Sequence, residues 1–346
     1  MHFLRAGRVP APEIDAADWA GDALPLGPLR GRVVLLDFFS YGDPTAVLTL
    51  DRIRRLGEHY REAGLVVLGL HVPAYGFERV PADARREIWR LGIPHPVALD
   101  RDFGVFRRYG LANLPARVLV DAAGMLRGWT EGPGQFEALE LAIRTLLREA
   151  NPDREPPPRH EPADDLPRPG ALRWLATREI RFGEHGVGFG PPQVEDEGTA
   201  ATGGTTGGGT RAFEMPELRA EGRAYLDGRW TLGPEGITCA DDEGGVAVVF
   251  EGSAVHAVLS PGEGDDGEGA LVSVTVDGRG VDPEVAGADV EIRDDGTSEV
   301  AVARGRVYEL VTGADFAVHN LDLRVRGRGC ALHLLTFGTR EVPEAS

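Results

Sequence analysis

The chain has 346 residues, 37 basic and 55 acidic, for a formal net charge of −18. So acidic a chain excludes binding led by clustered arginines or lysines, whether to a phosphate backbone or to an anionic membrane. Its two cysteines, Cys239 and Cys330, are too few for a disulfide scaffold or a cysteine-based zinc site. No apolar run approaches the ~18 residues of a membrane span.

The charge is uneven. Residues 1–150 carry 19 Arg and 19 Asp or Glu, whereas residues 151–346 carry 18 Arg and 36 acids. Both cysteines fall in the acidic part. This asymmetry divides the chain into two units, and 42% hydrophobic residues suffice for two packed cores. The first residues, Met1 to Arg8, have no apolar stretch of signal-peptide length, so the expected location is cytoplasmic.

In chain order, Val33-Val34-Leu35-Leu36-Asp37-Phe38-Phe39 reads as a buried strand. Pro44 to Ala63 has apolar residues at helical spacing, Val47, Leu50, Ile53, Leu56 and Tyr60, and Gly64 stops it. Leu65 to Leu70 is a second buried strand, Ala82 to Leu91 a helix ended by Gly92, and Val97 to Leu99 a short strand. Phe103 to Tyr109 is a helical turn or two. Arg117 to Asp121 and Leu126 to Trp129 flank Ala122-Ala123-Gly124 as a hairpin. Residues 134–149 close with an amphipathic helix. The order predicts an α/β unit, a mixed sheet covered on both faces.

Residues 151–170 hold seven prolines and read as a stiff linker. Beyond it, over 171–346, short alternating strands recur: Val246 to Phe250, Val255 to Leu259, Leu271 to Val276, Val300 to Val302, Arg306 to Val311, His319 to Arg326 and Ala331 to Phe337. Their spacing predicts an all-β sandwich, with hairpin turns at Asp277-Gly278 and Asp295-Gly296. A Gly/Thr-rich run at 195–211 reads as a flexible insertion.

The stretch Phe38-Phe39-Ser40-Tyr41-Gly42-Asp43-Pro44-Thr45-Ala46 is strand, sharp turn and helix start. With Gly64 to Glu78, Leu91 to Asp100 and Leu114 to Asp121, it resembles the thioredoxin-like domain of DipZ-type and TlpA/redoxin-type proteins. The resemblance spans about residues 10–148 and implies a thioredoxin fold. Thr177 to Gly183, Tyr225 to Leu232 and Ala331 to Gly338 resemble the sandwich that ends DipZ-type proteins, which implies a carbohydrate-binding-module-like jelly roll.

The resemblance fails at the chemistry. Alignment through Phe38, Phe39 and Tyr41 places the family's Cys-x-x-Cys at Asp43 and Ala46, and no cysteine lies in residues 1–150. Exchange requires a thiolate, so no catalytic residue is assigned. The resemblance also implies a buried acid at Asp37 and a cis-proline at Pro115. Asp37, Tyr41, Asp43, Leu114 and Pro115 would then form a docking groove, with the backbone of Leu114 open to an extended peptide. Strand packing and loop shape account for Asp37 and Pro115 equally, and Asp43-Pro44 reads as an ordinary N-cap and first helical residue. An Asp37/Asp43 pair holding a proton or cation is a further alternative. In the sandwich, Trp174, Tyr225, Trp230 and Tyr308 are candidate sugar-stacking aromatics, against a core role for Trp230 and Tyr308.

No metal site is expected: His59, His71 and His95 lack ligand spacing and read as surface or satisfied loop histidines. The acidic run from Glu263 to Glu268 reads as a solvated turn rather than a calcium loop. No cofactor is expected either, because Glu131-Gly132-Pro133-Gly134 lacks the lysine of a nucleotide cradle and no Gly-x-Ser-x-Gly elbow occurs. Cys239 and Cys330 are expected as free, partly buried thiols. Three functions compete: a redox-inactive protein- or peptide-binding or scaffolding module, a thiol-disulfide oxidoreductase using other cysteines, and a carbohydrate-binding protein.

Overall fold

The computed structural model describes residues 2–3, 9–160, 175–183, 209–262 and 269–339. It divides into two compact units, residues 1–163 and 164–346.

The first unit contains, in order, β1 (His2–Phe3), β2 (Asp18–Ala20), β3 (Val33–Phe39), α1 (Pro44–Tyr60), β4 (Leu65–His71), α2 (Pro81–Arg90), β5 (Val97–Leu99), α3 (Gly104–Arg108), β6 (Ala116–Val120), β7 (Leu126–Glu131) and α4 (Phe136–Ala150). The sheet order is β1-β7-β6-β3-β4-β5-β2. β3, β4 and β5 run parallel, and β6 runs antiparallel to β3. The central strand β3 is buried along its whole length because both faces are covered. Its alternate residues serve different cores. Val34, Leu36 and Phe38 pack with Val105 of α3. Val33 and Leu35 pack under Ile53 of α1 and Ile143 of α4. The mixed, doubly covered sheet matches the pattern read from sequence, and the helix and strand bounds differ from it by two residues or fewer, apart from α1, whose last turn is a 3-10 segment at Arg61–Ala63.

The start of the proline-rich segment is not a free spacer. Pro158 O accepts from Tyr60 Oη at 3.3 Å and lies 2.9 Å from His59 Nε2, while His160 N–H donates to Glu140 at 2.5 Å. Prolines leave carbonyls without a partner N–H, and α1 and α4 supply donors to them. Residues 161–170 lie outside the described residues.

The second unit is β throughout: β8 (Ile180–Arg181), β9 (Gly209–Phe213), β10 (Ala224–Leu232), β11 (Ile237–Cys239), β12 (Glu243–Gly252), β13 (Ala254–Ser260), β14 (Ala270–Val276), β15 (Arg279–Gly280), β16 (Glu291–Ile292), β17 (Ser298–Val302), β18 (Arg306–Val311), β19 (Ala317–Arg326) and β20 (Ala331–Gly338). Pairing runs β16-β17-β14-β19-β12-β10-β11-β20-β13-β18. Strand β10 belongs to two ladders. Ala224 to Asp227 pair with β12, and Gly228 to Leu232 pair with β9. Gly228, at φ +86°, marks the change of ladder, where a side chain would meet Glu243 O. Both ladders feed one core that includes Trp230, Phe250, Val272, Tyr308 and Leu335. The expected turn at Asp277-Gly278 has both residues at positive φ, as a two-residue hairpin requires. Of the insertion expected at 195–211, residues 209–211 are strand, and 195–208 lie outside the described residues.

One histidine departs from expectation. His95 is half-buried and lines a pocket together with Val47, Leu50, Asp51, Arg54, Leu91 and Ile93, its Nε2 buried and without a hydrogen-bond partner. Burial lowers its pKa from 6.5 to about 4, because the charged ring cannot be solvated there. Above pH 6.5 His95 is neutral in both folded and unfolded states. As the pH falls from 6.5 towards 4, only the unfolded chain gains the proton, so stability is lost across that window. The loss reaches about 3 kcal/mol. Urea denaturation of the full chain at stepped pH checks this, and His95→Gln flattens the profile between those limits.

Candidate functional site

The turn after β3, the end of β4 and the loop before β6 meet at one end of the first sheet. The register requires it: Phe39 lies opposite His71 of β4, and Phe38 opposite Ala116 of β6. Residues 40–43, His71 and Leu114-Pro115 therefore share that end. The Leu114–Pro115 peptide is cis. Pro115 O accepts from Gly132 N–H at 2.8 Å.

At the helix start, Asp43 Oδ1 accepts from Thr45 N–H at 2.8 Å, and Pro44 follows as the first helical residue. Asp43 is thus the N-cap of α1, as its local sequence allows. Ala46 is fully buried among Phe39, Tyr41 and Leu50. The Asp43/Ala46 pair offers a cap and a packed methyl group, with no sulfur.

Asp37 is 1% exposed and pairs with Arg117, Oδ1 to Nε, at 3.1 Å across β3 and β6. Arg117 is equally buried. It also donates to Gly132 O at 2.7 Å and Thr49 Oγ1 at 2.6 Å, and its guanidinium lies 5.0 Å from the Phe136 ring centre. Burial raises the pKa of Asp37, and the Arg117 charge opposes the rise. The second oxygen, Oδ2, is buried without a hydrogen-bond partner. Asp43 is bound as a cap and Asp37 is bound to Arg117, so the two aspartates do not form the proton- or cation-sharing pair considered from sequence.

Tyr41 is 1% exposed and lines no groove. Its ring stacks on His71 with centres 4.9 Å apart, and its hydroxyl donates to Phe77 O at 3.4 Å. Burial raises its pKa. His71 is the last residue of β4 and fully buried, not a surface or loop histidine. Its partner is Glu78, also fully buried, at 2.9 Å from Nε2.

Glu78 organises this end of the unit, and the sequence reading missed it. Its carboxylate accepts from Ser40 Oγ (2.8 Å), Gly42 N–H (3.2 Å), Ala74 N–H (2.9 Å), Tyr75 N–H (3.0 Å) and His71 Nε2. Gly42 leaves it room: a Cβ there would lie 2.6 Å from Glu78 Oε1. The signal in the sequence was three polar residues placed directly after apolar ones, Ser40 after Phe38-Phe39, His71 after Leu70, and Glu78 after Phe77. The cluster has the residue types of a catalytic triad in a different order. Glu78 bridges Ser40 and His71, so His71 is not set to take the Ser40 proton. Among the described residues, no group of three or more His, Cys, Asp or Glu is arranged to hold a metal.

In the second unit, the expectation of solvent-facing aromatics fails where it can be examined. Tyr225 is 7%, Trp230 0% and Tyr308 1% exposed. Their polar ends are satisfied internally: Tyr225 Oη accepts from Ala220 N–H, Trp230 Nε1 donates to Asp227 O, and Tyr308 Oη donates to Arg304 O. A ring packed in the core offers no face to a sugar. Trp174 and the acidic run from Glu263 to Glu268 lie outside the described residues. Cys239 and Cys330 are free and buried. Burial raises both thiol pKa values, that of Cys330 to about 12.

The family model described as "Thioredoxin like C-terminal domain" matches residues 194–338. Protein DipZ of Mycobacterium tuberculosis is 30% identical over 312 residues, which is 90% of this chain and 39% of that protein. The thiol-disulfide oxidoreductase ResA of Halalkalibacterium halodurans is 23% identical over 107 residues, 31% of this chain and 58% of that protein. The chain carries a thioredoxin-like domain, and the stretch that the family model matches falls in the second unit. It is related to DipZ and to the ResA oxidoreductases, and it spans about two fifths of the length of the DipZ proteins. Among solved structures, a thiol-disulfide isomerase from Corynebacterium glutamicum is 27% identical and aligns over 40% of this chain and 97% of its own, with a TM-score of 0.37. Among the described residues, no helix is long and apolar enough to cross a membrane.

Two predictions follow from the buried charges of the thioredoxin-like domain. Glu78→Gln turns an NH2 group towards at least two of the donors now facing each oxygen. It costs about 3 kcal/mol of stability in urea denaturation. Asp37→Leu alone strands the buried Arg117 charge and costs about 3–5 kcal/mol. Adding Arg117→Met recovers most of that loss, which a double-mutant cycle measures.

Proposed function

We propose that the chain is a thioredoxin-like protein- or peptide-binding module without thiol-disulfide exchange. One observation carries the reading. At the start of α1, where the related oxidoreductases are expected to carry cysteines, stand Asp43, whose carboxylate caps the helix, and Ala46, whose methyl group is buried. Residues 1–150 contain no cysteine to substitute. The two cysteines of the second unit argue against a rescue. A thiol needs exposure and a lowered pKa to attack a disulfide, and both of these are buried with raised values.

The binding part of the proposal rests on the other half of the docking end. The Leu114–Pro115 loop lies at the same end of the sheet as the 40–43 turn, and Leu114 is partly exposed. An extended polypeptide, held by the backbone groups of Leu114, is the ligand proposed for this loop. Carbohydrate binding through Tyr225, Trp230 or Tyr308 has no support, since all three are buried.

Insulin reduction driven by dithiothreitol tests the redox part. The full chain is expected to leave the rate at that of dithiothreitol alone. Turnover above that rate, abolished by Cys239→Ser or Cys330→Ser, overturns the reading. Reduced, carboxymethylated insulin B chain tests the binding part. Fluorescence anisotropy is expected to show saturable binding to the wild type and at least a tenfold weaker Kd for Leu114→Asp. Equal binding by the two would remove the loop from the proposal.

A further inference from the structure

The two cysteines face each other across a strand pair. β11 and β20 run antiparallel, with Ile237 opposite Leu332 and Thr238 opposite Ala331. Side chains alternate along a strand. Ile237 and Leu332 belong to the core of the second unit, Thr238 and Ala331 point the other way, and the next pair returns to the core. That pair is Cys239 and Cys330, 0% and 1% exposed and in the same core.

The backbone places them directly opposite. Cys239 N–H donates to Cys330 O at 2.9 Å, and Gly329 N–H donates to Cys239 O at 2.8 Å. Gly329, at φ +87°, is the extra residue of a bulge. Opposed residues of an antiparallel pair have Cα atoms about 4.5–5.5 Å apart. A disulfide spans Cα separations of about 4.4–6.8 Å. Cys239 Sγ donates to Asp241 O at 3.2 Å, and Cys239 adds to the rise in the Cys330 pKa.

We propose that Cys239 and Cys330 are the site of an intramolecular cross-strand disulfide that ties the end of β11 to the start of β20. The oxidant is a small-molecule disulfide of the glutathione class. One cysteine thiolate attacks a sulfur of that disulfide, giving a mixed disulfide and one released small thiolate. The other cysteine thiolate then attacks the protein sulfur of the mixed disulfide. The protein S–S bond forms and the second small thiolate leaves. The two cysteine protons end on the two released thiolates, so the protein loses two hydrogens and the oxidant is reduced to two thiols. Burial dictates when this happens. In the packed core both thiols stay protonated and shielded, so closure accompanies folding or local opening. Once formed, the bond is shielded from reductant as well. It also closes the long loop from 239 to 330, which restricts the unfolded chain.

The test exposes the full chain to oxidised glutathione across a urea series reaching past its unfolding midpoint. Free thiols are then trapped with N-ethylmaleimide in denaturant, and unreduced peptides are mapped by mass spectrometry. The expected product takes up no maleimide, lacks two hydrogens, stays monomeric on a non-reducing gel and yields a peptide linking Cys239 to Cys330. Its unfolding midpoint exceeds that of the dithiothreitol-treated chain. Cys330→Ser, or Cys330→Ala if the serine variant does not fold, removes the linked peptide and the shift in midpoint. Maleimide on both cysteines, stable glutathione adducts or linkage between chains would overturn the proposal.

Discussion

One buried carboxylate, that of Glu78, holds together the end of the first sheet. Removing a carboxylate from water costs several kcal/mol unless donors replace its hydration. Here five groups do so, from Ser40, Gly42, His71, Ala74 and Tyr75. They come from three places: the turn after β3, the end of β4 and the loop before α2. None of these can shift without leaving a buried charge short of a partner. The turn is thereby held in the shape that presents Asp43 to cap α1. Gly42 is part of the same constraint, because any side chain there would displace the carboxylate.

The second buried charge works similarly one pair away. Arg117 binds Asp37 on β3, Thr49 on α1 and Gly132 in the loop before α4. A carboxyl group meant to move protons needs a neighbour that exchanges them. Asp37 instead has a resident counterion that stays protonated. This end of the first sheet is thus built around buried ions paired within the fold, although Asp37 Oδ2 has no hydrogen-bond partner. Leu114, at this end, is partly exposed.

The fold was legible because each strand and helix carried its own periodicity. The run from Val33 to Phe39 gave a strand buried on both faces, and the i, i+3 spacing from Val47 to Tyr60 gave the helix packed on it. The edge strand Asp18–Ala20 was missed because Asp-Trp-Ala carries neither a period nor the unbroken apolar run that marks Val97-Ala98-Leu99. The candidate site was legible in part. Asp43 as an N-cap followed from Asp-Pro at a helix start, and the cis-proline followed from a family resemblance. The Glu78 cluster was not legible, because its members are polar residues far apart in sequence that meet only through the pairing of β3 with β4. Family resemblance makes Tyr41 a groove candidate and Tyr225 a sugar-stacking one, yet Tyr41 is satisfied by Phe77 O and Tyr225 by Ala220 N–H, and both residues are buried.

The same distinction between local and paired information governs the cysteines. By sequence they are two isolated thiols ninety-one positions apart, outside the unit where sulfur chemistry is expected. Pairing of β11 with β20 makes them neighbours. Burial acts on them in two directions at once. It raises their pKa values and withdraws the sulfur from solvent, both of which oppose attack on a disulfide by the folded chain. It also fixes the two sulfurs on the same face of adjacent strands, in surroundings that would protect a bond between them. A catalytic disulfide must open easily and a structural one must not. The buried setting of Cys239 and Cys330 meets only the second requirement.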